Sequence, residues 1–231
     1  MRFIFFILSI FFLISCEQEK VIKRALPILG EYDLEYKTIG GEKSVDTVYH
    51  TIPEFKFLNE DSVWKTNTDF KNKIWIAEFF FATCPTICPV MNSQLKNLNR
   101  ELTNYQEHIQ FLSFTINPKH DTPSVLKGYK KKTGILAKNW SFLTGDEAET
   151  HKLGIENFLT FAGKDDEAEG GYAHSGSFTL VDKEGRVRGV YRVTDVDGKP
   201  DMGEYKRMKI EVLKLLNDEY NIKKWSTNCY V

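Results

Sequence analysis

Apolar residues along this chain gather in short runs separated by polar stretches with glycine or proline, and the longest internal run spans Ile74 to Phe81. It reads Ile-Trp-Ile-Ala-Glu-Phe-Phe-Phe, nearly continuous and biased to aromatic and β-branched residues. Such a run predicts a strand covered on both faces, as at the centre of a partly parallel sheet. Ile109 to Ile116 predicts a second buried strand and Trp140 to Leu143 a short third one. Between them the period changes to that of a helix. Val90, Met91, Leu95, Leu98 and Leu102 form one stripe, while Asn92, Lys96, Asn99 and Arg100 fill the polar side. A helix is therefore expected from about Cys88 or Pro89, and proline suits a first turn whose amides lack partners. Asp121-Thr122-Pro123 opens a second helix, with Asp121 or Thr122 as cap, Val125, Leu126 and Tyr129 inside, and Gly134 as terminator.

The remaining segments complete an α/β pattern. Glu31 to Tyr49, containing Gly40-Gly41, reads as a turn-rich strand or hairpin ahead of the domain, and Pro53 to Leu58 as a short alternating strand before the turn Asn59 to Ser62. Asp146 to Phe158 predicts a helix, and Phe161 to Gly171 a polar surface loop carrying Lys164-Asp165-Asp166-Glu167-Ala168-Glu169. Ser177 to Val181 and Arg188 to Tyr191 flank Asp182-Lys183-Glu184-Gly185, an antiparallel hairpin with Gly185 supplying the turn dihedral. A last helix is expected over about Tyr205 to Asn217. The order implies a central mixed β-sheet flanked by helices, two strands joined by long crossovers, and an N-terminal hairpin extension. Trp64, Trp75, Trp140 and Trp225 are assigned to packing.

The first residues change the picture from a free domain to a tethered one. Met1-Arg2 precedes an apolar stretch from Phe3 to Ile14, and Leu13-Ile14-Ser15-Cys16 closes it as a bacterial lipoprotein signal does. The expected division is a signal peptide over 1–15, a lipidated tether over 16–26 with Cys16 as the acylated residue, a domain over 27–220 and a tail over 221–231. An uncleaved apolar anchor is the alternative. Either way the domain is placed in the cell envelope, outside the cytoplasm and tied to a lipid membrane. A net charge of −1 gives no support for a nucleic-acid partner, and Lys130-Lys131-Lys132 reads as a solvated helix end. Four cysteines do not make a disulfide scaffold, so the fold must rest on its core.

Cys84-Pro85-Thr86-Ile87-Cys88 carries the candidate chemistry. A pair beginning in a loop and ending in the first turn of a helix can converge on one metal ion or close one disulfide. The helix start favours thiolate for both uses. Thiolates select soft ions such as Cu(I) or Zn, but two sulfurs are an incomplete site. A third ligand would come from the histidines. His50, His108, His120 and His151 read as surface or structural residues, whereas His174 lies in a flexible loop, Gly170 to Gly176, just before a strand. For redox chemistry, Cys84 would attack and Cys88 would resolve the mixed disulfide. Three intervening residues rather than two argue against a general thioredoxin. Cys229 is left as a tail thiol.

Phe79-Phe80-Phe81-Ala82-Thr83-Cys84-Pro85-Thr86-Ile87-Cys88-Pro89 resembles the copper-site motif of the Sco/SenC family, membrane-tethered thioredoxin-like proteins involved in assembling the dinuclear copper centre of cytochrome c oxidase. Asn117-Pro118-Lys119-His120-Asp121-Thr122-Pro123 resembles that family's segment after the next strand. His174 followed by Phe178 to Gly185 resembles its histidine-then-hairpin segment, so the likeness runs in order from about residue 50 to residue 218. The resemblance implies a thioredoxin-like fold, Cys84 and Cys88 as thiolate ligands, His174 as imidazole ligand, and copper, as Cu(I) or Cu(II), as the bound metal. It implies a metallochaperone whose partner is the copper-centre subunit of the oxidase. A thiol-disulfide reductase of that subunit's cysteines, itself served by a thiol reductase, is one alternative; a copper- or redox-sensing interaction protein is another. Delivery needs no bond-breaking catalysis, and thiol-disulfide exchange is the one enzymatic alternative. Thr86 and Ala173 stand where acidic residues are common in the family, and Asn117 where an aspartate is common, which leaves metal tuning open more than ligand identity.

Overall fold

The Ile74–Phe81 run supplies an inner strand, third of seven, of the main sheet in the computed structural model, which describes residues 25–168, 170–195 and 197–222. The leader, Cys16, the tether before Ala25, Trp225 and Cys229 lie outside the described residues. A hairpin of β1 (Tyr32–Ile39) and β2 (Glu42–Tyr49) comes first, followed by β3 (Lys56–Asn59) and β4 (Trp64–Thr66). The centre is then laid down as β5 (Ile74–Phe80), α1 (Cys88–Glu101), β6 (Ile109–Thr115), α2 (Pro123–Lys132) and β7 (Trp140–Thr144). After α3 (Glu147–Lys152) come β8 (Ala162–Lys164), β9 (Tyr172–His174), β10 (Ser177–Val181), β11 (Val187–Arg192) and α4 (Met202–Tyr220).

The sheet runs β11-β10-β5-β6-β7-β3-β4. Only β5, β6 and β7 are parallel, because α1 and α2 return the chain to the same end each time; β10 and β3 flank them antiparallel. This is the thioredoxin-like α/β architecture expected from the sequence. Strand alternation divides the core in two. Ile74, Ile76 and Phe80 face a helical layer that includes Met91, Leu95, Leu98, Leu126, Met208 and Val212. Trp75, Ala77, Phe79 and Phe81 face the other way, onto Phe55, Phe57, Phe114 and Phe158. There Phe79 stacks on Phe114 at 5.2 Å between ring centres. Emptying one such buried ring position costs about 3–5 kcal/mol.

Three segments depart from the sequence reading. β4 forms beyond the predicted turn and edges the sheet against β3. The predicted helix over Asp146 to Phe158 is capped by Asp146, whose side chain accepts from the Glu149 amide at 2.9 Å, but its second half widens into a π-turn over Leu153–Asn157. The stretch from Phe161 to Gly171 is not a loop throughout: β8 pairs antiparallel with β9, Ala162 opposite His174, and only the connection between them is loop. Strands of three residues are too short to show a period, which is why the pairing left no pattern to read. His174 accordingly ends a strand rather than floating in a loop.

At the edge where the chain enters the domain, the β10–β11 turn forms a closed polar network. Fully buried Asp182 accepts from the amides of Glu184 and Arg186, from Arg186 Nε at 2.8 Å and from Arg188 Nη1 at 2.9 Å. Arg188 also donates to the carbonyls of Leu26 and Pro27, and the Leu29 amide donates to Val187 O, so the incoming chain is fastened there. Among the described residues no helix is long and apolar enough to cross a membrane.

Candidate metal centre

Everything that positions the two thiols follows from the end of β5. The strand delivers Phe81, the Cys84 amide donates to Phe81 O at 3.1 Å, and α1 starts at Cys88 with Pro89 in its first turn. No side chain caps this helix start, so its amides are free to meet a thiolate. A second support comes from across the sheet. Asp121, fully buried, accepts from the Ala82 amide at 2.9 Å and from the Thr115 hydroxyl, and its other oxygen meets His120 Nδ1 at 2.6 Å. The helix cap proper is Thr122, without a side-chain bond. Asp121, expected as a possible cap, instead ties the loop before Cys84 to the loop after β6. Asn117 serves that loop too, its amide donating to Thr115 Oγ1 and its carbonyl accepting from His120 and Asp121.

His174 approaches from β9. Its ring lies edge-on to Phe81 at 6.0 Å, Phe81 also packs on Tyr172, and the Tyr172 hydroxyl donates to Glu147 at 2.7 Å, fastening the small hairpin to α3. After His174 the chain bends sharply at Gly176, where φ is +65° and a Cβ would sit 2.1 Å from Thr194 Oγ1. A side chain there would need both a left-handed backbone and a displaced Thr194, which favours glycine.

The three predicted ligands meet. Cys88 Sγ lies 3.2 Å and Cys84 Sγ 4.0 Å from His174 Nε2, and all three ligand atoms fall within 4.8 Å of one another. Ions bound at about 2.0–2.3 Å by nitrogen and sulfur impose ligand separations of this order. Two soft sulfurs and one imidazole fit a copper ion, and no other group of three or more ligating side chains converges among the described residues. Cys88 is buried, whereas Cys84 and His174 are half-buried, so the centre opens on one side.

Charge is divided unevenly between the thiols. Cys84 is pulled down to about 3, chiefly by the hydrogen bond it receives from Cys88 and further by His174 and by the amides of Cys88 and Thr86, against the opposing effect of burial. Cys88 moves the other way, because burial disfavours its thiolate and the neighbouring Cys84 already holds the negative charge. The metal-free pair is one thiolate and one thiol. His174 Nδ1 is buried with no partner, so no hydrogen bond fixes the ring from behind.

The other histidines lie elsewhere, as expected. His108 lies over Tyr220 at 4.2 Å, His120 pairs with Asp121, His151 bonds the Ile116 carbonyl, and His50 sits at the root of the N-terminal hairpin. One polar group escaped the sequence reading. Glu78, inside the apolar run, points into the helical side of the core, where it is 1% exposed and accepts from Ser113 Oγ at 2.6 Å. Burial raises its pKa to about 7, and its second oxygen has no partner. Its position on the same strand face as Ile74, Ile76 and Phe80 was the only available signal.

Two thiols and an imidazole at the end of a parallel strand define a thioredoxin-like protein with a soft-metal centre. The SCO1/SenC family model matches residues 44–203, and the chain belongs to that family. It is 30% identical over 149 residues to the SCO1 protein homolog of Bacillus subtilis, covering 64% of this chain and 77% of that protein. Among solved structures, a SCO1/SenC family lipoprotein from Bacillus anthracis aligns with a TM-score of 0.61 and 29% identity, over 71% of this chain and 94% of that one. BsSco, a member of the Sco family of cytochrome c oxidase assembly proteins with an identified disulfide switch, aligns at 0.60 and 25% identity, over 72% and 94%.

Proposed function

We propose that this chain is a lipid-anchored copper metallochaperone that holds one copper ion on Cys84, Cys88 and His174 and passes it to the copper-centre subunit of cytochrome c oxidase. The convergence of those three donor atoms within 4.8 Å is the observation that carries the reading. Membership of the SCO1/SenC family and the likeness to BsSco, an oxidase assembly protein, support the partner. The likeness to a Bacillus anthracis lipoprotein, with the Leu-Ile-Ser-Cys ending at Cys16, supports the anchor and a place on the outer side of a bacterial membrane. The domain is assigned to 27–220, behind a leader over 1–15 and a tether over 16–26.

The uneven exposure of the donors gives an order of exchange. Incoming ligands of an acceptor reach Cys84 and His174 first, and buried Cys88 is the last donor to let go. Soft donors favour Cu(I) as the ion carried. The test is to mix the Cu(I)-loaded protein with a metal-free copper-centre domain and follow copper in each after separation. Copper on the acceptor supports delivery; copper retained by a protein that binds it one-to-one would leave a sensing role instead. Incorporation of labelled fatty acid, lost in Cys16→Ala, tests the anchor.

A second reading, thiol-disulfide reduction of the acceptor, is favoured by the split in the thiols. The Cys84 thiolate attacks one sulfur of an acceptor disulfide and releases the other as a thiolate. Cys88, giving up its proton, then attacks Cys84 Sγ and frees the second acceptor sulfur. The acceptor gains two electrons and this chain is left with a Cys84–Cys88 disulfide. Reduction of an oxidised acceptor domain by the metal-free protein would support it.

A further inference from the structure

The N-terminal hairpin exposes a face made mostly of large apolar residues, with Thr47 among them and Thr38 and Lys43 at its tip end. Its register pairs Tyr32 with Tyr49, Leu34 with Thr47 and Tyr36 with Val45, so five large apolar residues share a side. Tyr32 is 61% exposed, Leu34 48%, Tyr36 77%, Val45 57% and Tyr49 39%. The opposite side carries Asp33, Glu35, Lys37 and Asp46, with Lys37 paired to both Glu35 and Asp46, and an exposed apolar residue, Val48. The hairpin forms a sheet of its own, without ladder bonds to the main sheet. An isolated two-stranded ribbon is marginal in water, and a contiguous exposed apolar face of this kind marks a surface that something covers.

Its place in the fold says what. The hairpin leaves the domain at Glu31 and His50, next to the contacts of Leu29 with Val187 and of Ile52 with Gly185. Those contacts lie on the β10–β11 turn, and the register of β10 with β5 (Val181 opposite Trp75, Phe178 opposite Glu78) puts that turn at the start of β5. Cys84 follows the other end of the same strand. The root of the hairpin and the metal centre therefore occupy opposite ends of the sheet. An acceptor seated on the ribbon's root would be across the domain from the ion it must take. By contrast, Cys16 is nine residues before Ala25, where the fastened chain begins, and nine residues reach at most about 30 Å when fully extended. The acylated end cannot be far from the hairpin root.

We infer that the Tyr32–Tyr49 hairpin lays its apolar face on the lipid surface to which Cys16 is joined, which stands the metal centre on the side of the domain away from the membrane. Three tyrosines on that face suit the interface, since the ring enters the lipid while the hydroxyl stays wet. The acidic side, turned to water, makes the contact apolar rather than a matter of anionic headgroups. The inference rests on the acylation proposed above, and its test separates the two.

The acylated chain from Cys16 onward is reconstituted in phosphatidylcholine vesicles, and oxidative labelling of individual tyrosines is read by mass spectrometry against the Cys16→Ala chain, produced without residues 1–15, in solution. Labelling of Tyr32 and Tyr36 is expected to fall about fivefold on vesicles, the change from exposures of 61% and 77% to those of a lipid-covered ring, and to be independent of salt. Equal labelling with the protein bound to vesicles overturns the inference. So does protection of the Cys16→Ala chain in solution that disappears on dilution, which identifies a second copy as the cover. Protection that appears only when a copper-centre domain is added overturns it too. Where Cys16 proves unacylated, the acylation reading fails by itself. The same labelling, on a Cys16→Ala chain held by an N-terminal histidine tag on nickel-chelating phosphatidylcholine vesicles, then decides the hairpin separately.

Discussion

The two ends of the central sheet differ in how their buried polar groups are partnered, with His50 Nε2 at the hairpin root the one unpaired atom, among the described residues, beside the entry network. At the entry end, Asp182 has four donors and Arg188 spends its remaining nitrogens on the carbonyls of Leu26 and Pro27. At the other end, His174 Nδ1 and the second oxygen of Glu78 are buried without partners, and two thiols face an imidazole with no disulfide between them. Buried polar groups left unpaired are costly, whereas a closed network is stable and chemically silent. The closed end holds the chain; the open end is available to bind. Asp121 is the exception that frames the open end, since it bonds Thr115 and His120 on its own side and the Ala82 amide in the loop before Cys84.

The largest expected effect breaks the closed end. Arg188→Ala leaves the fully buried Asp182 with fewer donors and should lower unfolding free energy by about 3–5 kcal/mol in a denaturant titration. Cu(I) affinity of the fraction that remains folded should be unchanged. Equal losses of stability and affinity would show that the two ends are not independent.

Glu78 sharpens the contrast from inside the open end. Its carboxyl is held neutral in the folded protein up to about pH 7 but ionises near 4.5 when unfolded, so the folded state binds the extra proton between those values. This stabilisation is fully present below pH 4.5 and is lost as pH rises toward 7, an effect of about 3 kcal/mol. Glu78→Gln should remove that slope from stability measured against pH; an unchanged slope would assign it elsewhere.

Asp121→Ala frees the Ala82 amide and should weaken Cu(I) binding about tenfold in a competition titration, as loss of an outer support typically does. The smallest effect concerns the thiols themselves. Alkylation of Cys84 by iodoacetamide should be nearly independent of pH over ordinary assay conditions, because its thiolate persists down to about pH 3. Cys88→Ala, which removes the main donor to that thiolate, should bring a rise of rate with pH into view.

How much of this could be read from the chain varies with the distance over which each feature acts. Ile74–Phe80 and Ile109–Thr115 are buried at every position, so composition alone marked them as central strands. Cys84 and Cys88 were marked by their spacing at a helix start. His174 became a ligand only through family resemblance, because the short β8–β9 pairing that carries it has no period. Asp121 acts on Ala82, 39 positions away, and Glu78 on Ser113, 35 away. Contacts at that range depend on strand register and leave nothing in the local pattern. The alternation over Glu31 to Tyr49 predicts a strand or hairpin but cannot show that both sides of the ribbon stay exposed.

The most direct measurement of the central claim is Cu(I) binding by the reduced protein, with stoichiometry determined for the parent chain and for Cys84→Ser, Cys88→Ser and His174→Ala. One tightly held copper is expected in the parent, with affinity falling more than about a hundredfold in each cysteine variant and substantially in the histidine variant. Unchanged binding in all three would contradict the site.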